Sequence, residues 1–269
     1  MKFSLKALLT LAVSASALVL AGCGEKAVDN NKIKVGVIAG AEAQVAEVAA
    51  KIAKEKYNLD VELVTFTDYV TPNAALDDGS IDINAFQHKS YLDQQIADRG
   101  YKLAIAGNTF VYPIAGYSKQ VKSVDEIQDG SRIAVPNDPT NLGRSLLLLE
   151  QQGLITLRDG AGLLATVRDV VANPKNITIV ELDAAQLPRS LDDVTLSIIN
   201  TTYASSINLT PEKDGVFVED KESPYVNIIV SRAENLNAEN VTNFVKAYQT
   251  EEVYQAASKI FDGGAVKGW

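Results

Sequence analysis

The sequence predicts an α/β protein of two lobes, each a mainly parallel sheet flanked by helices. Segments rich in Val, Ile and Leu alternate along the chain with amphipathic segments of helical periodicity. This alternation is typical of parallel strands joined by right-handed crossovers. A strand–loop–helix pattern at 34–56 starts again at 132, and two extended segments, 102–118 and 226–230, are placed to cross between the lobes.

Residues 1–22 have the pattern of a signal peptide. Lys2 and Lys6 precede an apolar stretch at 8–20 that is too short to span a bilayer comfortably. We therefore expect residues 1–22 to lie outside the folded domain.

Cys23 is the only cysteine of the chain and follows Leu-Ala-Gly. Small residues before a cysteine at this position resemble the lipobox of bacterial lipoproteins, in which that cysteine becomes the lipidated N-terminus. A plain secretory signal followed by a chance cysteine is the alternative. On the lipoprotein interpretation, residues 23–32 form a polar, lipidated tether and the acyl groups, such as palmitate, hold the protein on a membrane.

The composition excludes several classes of function. Lys and Arg number 25 and Asp and Glu 34, so removing Lys2 and Lys6 changes the net charge from −9 to −11 (23 minus 34). An acidic chain argues against nucleic-acid binding, which requires a basic face. One cysteine allows no internal disulfide, and the single histidine, His88, cannot build a multi-histidine zinc site.

In the first lobe, the pattern predicts strands and helices in strict alternation. The strands are predicted at 34–38, 59–66 and 81–86, and the helices at 42–56, 71–79 and 87–99. Tyr69, Phe86 and His88 fall near the carboxyl ends of these strands, where open α/β sheets bind ligands.

In the second lobe, a capping box at 123–126 starts a short helix and the strand-and-helix pattern follows. Further elements are a strand at 132–135, a helix from Leu142 to Gly153, a helix at 163–171, strands at 177–182 and 194–199, a charged surface loop at 213–221 and closing helices at 240–260.

Asn141 and Arg144 lie three residues apart at a helix start, where the free N–H groups favour an anion. We place the first lobe at 33–112 plus 225–269 and the second at 113–224.

Common catalytic motifs are absent from the sequence. It contains no G-x-S-x-G, no G-x-x-x-x-G-K-[ST], no G-x-G-x-x-G and no H-E-x-x-H. A hydrolase that uses His88 stays an alternative, as does a lipoprotein adhesin whose outer surface matters more than any cleft.

Four stretches are similar to the MetQ/NlpA family of lipoproteins, which bind methionine for an ABC importer. They are FQHKSYLDQ (86–94), VPNDPTNLGRSLLLLEQQGLI (135–155), INTTYA (199–204) and ESPYVNIIVSR (222–232). The resemblance covers essentially all of residues 32–269. It implies a type II-like periplasmic-binding-protein clamshell, no enzymatic activity and no cofactor.

The resemblance also implies L-methionine as the ligand, with another amino acid or a methionine-containing peptide as the alternative. An ABC permease and its ATPase subunit would be the partners. The protein would be a monomer, lipid-anchored in a Gram-negative-like cell envelope and facing the periplasm.

Residue by residue, the resemblance implies a role for eight side chains. Arg144 would pair bidentately with the carboxylate of the ligand, with Asn141 beside it. Asn200 and Asn227 would bind the ammonium or carboxylate group through their side-chain amides. The pocket for the ligand side chain would be lined by Tyr69, Phe86, His88 and Tyr91. The alternative is that the aromatic residues belong to the core, the two amides to turns or strand ends, and that His88 only caps a helix.

Overall fold

The computed structural model describes residues 30–269, which form two lobes around two separate sheets. The predicted signal peptide and the lipidation site at Cys23 lie outside the described residues. From residue 30 onward, no helix has the length and apolar character needed to cross a bilayer.

The elements of the described chain follow one another with short connections. The strands are Lys32–Ile38 (β1), Asp60–Phe66 (β2), Ile83–His88 (β3), Leu103–Val111 (β4), Ala115–Tyr117 (β5), Arg132–Pro136 (β6), Thr156–Leu157 (β7), Val170–Ala172 (β8), Thr178–Leu182 (β9), Leu196–Ile199 (β10), Gly215–Val218 (β11), Val226–Arg232 (β12) and Val266–Lys267 (β13). The α-helices are Ala41–Tyr57 (α1), Thr71–Asp77 (α2), Lys89–Arg99 (α3), Pro139–Gln151 (α4), Leu187–Ser190 (α5), Thr201–Ser205 (α6), Pro211–Asp214 (α7), Glu239–Tyr248 (α8) and Glu251–Ile260 (α9).

The first lobe is built on a six-stranded sheet of order β13-β4-β12-β3-β1-β2. β1 runs parallel to β2 and β3, whereas β12 runs antiparallel to β3 and β4, and β13 antiparallel to β4. The sheet is therefore mixed rather than mainly parallel, because the chain returns from the second lobe along β12 in the opposite direction.

The second lobe is built on a five-stranded sheet of order β11-β5-β10-β6-β9. β6 is parallel to β9 and β10, and β5 is antiparallel to β10 and β11. This sheet is also mixed, because β5 and β11 bring the chain into and out of the lobe. The predicted lobe boundaries, 33–112 plus 225–269 and 113–224, remain a prediction.

Each lobe has its own apolar core, and a third apolar cluster lies between the lobes. The first core packs α1, α8 and α9 on the sheet, and the second packs α4 on β6 and β10. The cluster between the lobes joins Phe86 and Tyr91 from the first lobe to Tyr117, Leu187 and Tyr203 from the second. Ring surface from both lobes is therefore already buried where they meet.

Three sequence predictions in the second lobe are wrong. The capping box predicted at 123–126 does not form, because the Ser123 side chain makes no capping hydrogen bond, and only a 3-10 turn, Val124–Glu126, follows. The helix predicted at 163–171 is instead two 3-10 turns, Gly162–Leu164 and Val167–Asp169, followed by β8. A capping box closes the second turn: the Thr166 side chain bonds the backbone of Asp169, whose carboxylate accepts from Thr166 N at 2.7 Å. These local bonds compete with a continuous helix.

The predicted surface loop at 213–221 is also partly structured. Its first residues complete α7, and β11 then pairs with β5 at the edge of the second sheet. The charged residues of this segment predict a loop rather than a strand. β11 is nevertheless a strand, because an edge strand tolerates charged residues on its outward side. The difference matters for the site, since this segment carries Glu219.

Candidate functional site

One cavity, partly open to solvent, lies between the two lobes. All eight residues predicted from the sequence lie around it. Its lining consists of Tyr69, Phe86, Gln87, His88, Tyr91, Tyr112, Asn141, Arg144, Asn200, Thr201, Thr202 and Asn227. Because both lobes contribute, a molecule held here contacts both at once.

His88 ends β3 and caps helix α3. Its Nδ1 accepts a hydrogen bond from the Tyr91 backbone N–H at 3.1 Å, so the ring proton of the neutral form is on Nε2. Nε2 lies 3.4 Å from the Asn141 side-chain oxygen, across the gap between the lobes. Burial, and secondly the charge of Arg144, lower the pKa of His88 to about 3. The imidazole is therefore a neutral donor at physiological pH.

Three aromatic rings form one end of the cavity. The ring centroids of Tyr69 and Phe86 are 5.8 Å apart, those of Phe86 and Tyr91 6.0 Å, and those of Tyr69 and Tyr91 6.3 Å. The Tyr91 hydroxyl donates to the Tyr69 backbone carbonyl oxygen at 2.8 Å, which holds the Tyr91 ring in place. The result is an apolar surface of defined shape.

The start of helix α4 contributes polar side chains to the lining. Asp138 caps the helix, and its carboxylate accepts both the backbone and the side-chain N–H of Asn141 at 2.9 Å. The Asn141 side-chain oxygen in turn accepts from the Asn200 side-chain nitrogen at 3.0 Å. The Asn200 side-chain oxygen is buried and has no hydrogen-bond partner within residues 30–269. It is an acceptor without a donor on the cavity wall.

Arg144 lies on α4 one turn beyond Asn141 and is buried. Its Nε donates to Glu219 at 2.8 Å, its Nη2 bonds the other carboxylate oxygen of Glu219, and Nη2 also donates to the Tyr112 carbonyl oxygen at 3.0 Å. The Tyr225 ring lies 4.4 Å from the guanidinium carbon. The bidentate edge expected to meet a ligand carboxylate is thus occupied by Glu219. Within the described chain, Nη1 forms no hydrogen bond.

Asn227 comes from β12, directly opposite His88 in the antiparallel register. Its side-chain nitrogen donates to the Phe86 carbonyl oxygen at 3.1 Å. This bond leaves the side-chain oxygen of Asn227 available at the edge of the cavity, where β3 and β12 meet.

Sequence reasoning missed four lining residues and the partner of Arg144. Thr201 and Thr202 follow Asn200 at the start of α6, and a helix start after a strand is a signal that could have indicated them. Gln87 and Tyr112 carry no such signal. Glu219 lies in a charged segment, and only the three-dimensional path of the chain brings it to Arg144.

The site offers neither a metal centre nor a catalytic triad. Over residues 30–269, no group of three or more His, Cys, Asp or Glu side chains is placed to hold a metal ion. The hydrogen bonds of His88 go to Tyr91 and Asn141, not to a serine hydroxyl or a carboxylate. The arrangement can hold a polar group at one end and an apolar group at the other.

Comparison with known proteins identifies the family. The family model described as NlpA lipoprotein matches residues 33–269. The probable D-methionine-binding lipoprotein MetQ of Vibrio cholerae is 84% identical over 269 residues, which is 100% of each chain. A nutrient-binding protein from Burkholderia cenocepacia, solved bound to methionine, is 50% identical with a TM-score of 0.87, over 88% of this chain and 100% of that one. An ABC transporter periplasmic substrate-binding protein from Coxiella burnetii is 47% identical with a TM-score of 0.85, over 88% of this chain and 100% of that one. The family model covers most of the chain, and the chain belongs to the NlpA lipoprotein family.

Proposed function

We propose that this protein is a membrane-tethered binding protein, not an enzyme, that captures methionine between its lobes and delivers it to an ABC permease. The observation that carries the proposal is the cavity itself, which has aromatic rings at one end and matched polar groups at the other. The names of the relatives, two of which specify methionine and one an ABC transporter, agree with this assignment.

The charges around the cavity suit a zwitterion better than an ion. Arg144 carries the only formal charge among the lining residues. Its ion pair with Glu219, which is not a lining residue, neutralises that charge. A zwitterion has no net charge, yet each of its ends needs a partner when it leaves water. Arg144 Nη1 is a donor for the carboxylate, and the unpaired oxygen of Asn200 is an acceptor for the ammonium group.

The apolar end suits a thioether side chain. Sulfur prefers aromatic neighbours, and each such contact contributes about 0.3–1.5 kcal/mol. Tyr69, Phe86 and Tyr91 surround this end of the cavity. The sequence resemblance implies L-methionine, whereas the name of the Vibrio cholerae relative specifies the D enantiomer. We therefore propose methionine as the ligand and compare both enantiomers in the test.

The remaining parts of the proposal concern assembly. We propose that acyl groups on Cys23 anchor the protein in the cell envelope of a Gram-negative-like bacterium, facing the periplasm. An ABC permease and its ATPase subunit would be the partners, and the binding protein itself would act as a monomer.

Titration calorimetry tests the ligand assignment. We expect L- or D-methionine to bind and norleucine, which replaces the sulfur by a methylene group, to bind more weakly. Arg144→Ala and Asn227→Ala should each weaken binding by roughly 2–5 kcal/mol, the cost of breaking a buried hydrogen-bonded charge contact. Arg168→Ala, at an exposed position of the same lobe, is the matched control. Wild-type affinity in both cavity variants would show that methionine does not bind here.

Mass spectrometry of the denatured protein gives an independent answer. A molecule that co-purifies and is released on unfolding should have the mass of methionine. If a different amino acid or a methionine-containing peptide is released, the ligand assignment is wrong, but the proposed binding function stands.

A further inference from the structure

Glu42 is a buried carboxyl group at the contact between the two lobes. It lies in the first turn of α1 in the first lobe and is only 2% exposed. The Thr202 hydroxyl, on α6 of the second lobe, donates to Glu42 Oε1 at 2.8 Å. Oε2 is buried and has no hydrogen-bond partner within residues 30–269. With the lobes in contact, this second oxygen therefore forms no hydrogen bond to the described residues.

The surroundings of Glu42 do not compensate a negative charge. Within residues 30–269, the groups whose pKa a Glu42 charge would raise are phenols, those of Tyr69, Tyr112, Tyr203 and Tyr248. No cation within residues 30–269 forms an ion pair with it. Burial raises the pKa of Glu42 to about 8, and the Thr202 hydroxyl and the Ile38 backbone oppose this only in part. With the lobes in contact, Glu42 is thus mainly a neutral acid at pH 7.

The contact partner of Glu42 also lines the cavity. Thr202 and the neighbouring ring of Tyr69 both belong to the cavity wall, so separating the lobes breaks the Glu42–Thr202 bond and opens the cavity in one movement. Once α6 moves away, water reaches the carboxyl group, and its pKa returns toward the ordinary value of 4.5.

We propose that Glu42 is a positioning residue that couples closure of the lobes, and hence ligand capture, to the uptake of one proton. This inference rests on the proposed function. On closing, a proton from solvent binds the Glu42 carboxylate, and the neutral acid accepts the Thr202 hydroxyl bond. On opening, the proton returns to water.

The sign of the pH dependence follows from the direction of the shift. Glu42 has a higher pKa in the closed state than in the open state. Its contribution to the stability of the closed state is therefore complete at a pH below the open-state pKa, and it is lost as the pH rises through the closed-state pKa. His88 acts in the opposite direction, because its pKa is lowered and closure would release a proton below pH 6.5. At pH 7 about a quarter of an exposed imidazole with a pKa of 6.5 is still protonated, and at pH 8.5 almost none is, so between these values His88 offsets the Glu42 effect by less than about 1.5-fold.

The test is calorimetric titration with methionine at pH 7 and pH 8.5, in buffers of different ionisation enthalpy. From pKa values of about 8 and 4.5 for Glu42, and with the smaller opposite effect of His88, the wild-type affinity should be about sixfold lower at pH 8.5, with roughly two thirds of a proton taken up per ligand at pH 7. Glu42→Gln keeps the shape and cannot ionise, so its affinity should not fall over this range. It also controls for titration of the ligand. Glu47→Gln, on the exposed side of the same helix, should keep the wild-type dependence.

Two results would overturn the proposal: a wild-type affinity that changes less than twofold, or a Glu42→Gln variant that keeps the decline. The proton count is measured on the wild type, so it decides the question even if the variant fails to fold.

If methionine does not bind at any pH, the proposed ligand is wrong. Small-angle X-ray scattering of the ligand-free protein then tests the coupling: a radius of gyration that grows with pH in wild type but not in Glu42→Gln supports it, and no difference refutes it.

Discussion

At the scale of single residues, the site depends on partners that are distant in the chain. Arg144 lies 75 residues from Glu219, and Asn141 lies 59 residues from Asn200. The sequence indicates Asn141 and Arg144, because both follow a helix cap at fixed spacing. It does not indicate Glu219, since nothing in a charged segment tells which carboxylate will be buried against an arginine.

The pair of Arg144 and Glu219 leads to a prediction about stability. Glu219→Ala leaves a guanidinium that is 4% exposed without its carboxylate. Removing one partner of a buried pair costs about 3–5 kcal/mol, so we expect the free energy of unfolding to fall by about that amount. Urea denaturation measures it. Glu222→Ala, an exposed carboxylate of the same segment, should change the free energy by less than 0.5 kcal/mol, about the usual limit for surface sites. An equally small effect of Glu219→Ala would mean that solvent reaches Arg144.

At the scale of elements, helix α4 and the 3-10 turn at Gly162–Leu164 show what the hydrophobic pattern predicts and what it misses. The strand before α4 and the helix itself follow from the pattern of apolar residues and turn residues, although Pro136 still belongs to β6 and α4 begins at Pro139, three residues before the predicted start. The 3-10 turns do not, because their leucines are half-exposed and the local capping bonds decide their conformation. Short elements such as α5 and α6 are missed for a similar reason, since four or five residues contain little periodicity.

Gly143 gives a prediction at this scale. A methyl group added there would lie 2.2 Å from the Leu163 carbonyl oxygen, which is backbone and cannot rotate away. Gly143→Ala must therefore push the 3-10 turn off the helix, and overpacking of this kind costs about 1–3 kcal/mol. Thermal or urea unfolding measures the loss, with Gln151→Ala on the exposed face of the same helix as the control. Unchanged stability would show that residues 162–165 move freely against α4.

At the scale of the whole molecule, the two-lobed α/β architecture could be predicted because it depends on order along the chain. Alternating strands and helices predict the sheets, and the segment at 102–118 predicts a crossing, although it divides into β4 in one sheet and β5 in the other. The direction of the strands could not be predicted in the same way. The antiparallel strands β12 and β5 occur where the chain changes lobes. The residues of a strand do not indicate whether it runs parallel or antiparallel to its neighbours in the sheet.

The proposed lipid anchor at Cys23 is a property of the whole molecule, because it would tether both lobes through the segment before residue 30. Cys23 is the only cysteine, and each methylene of an acyl chain that enters the bilayer contributes about 0.8 kcal/mol. We expect Cys23→Ala to move the protein from the membrane fraction to the soluble fraction. Because the cavity residues are untouched, methionine affinity should stay at the wild-type value. A variant that stays in the membrane after a high-salt wash would show that something other than acylation of Cys23 holds it there.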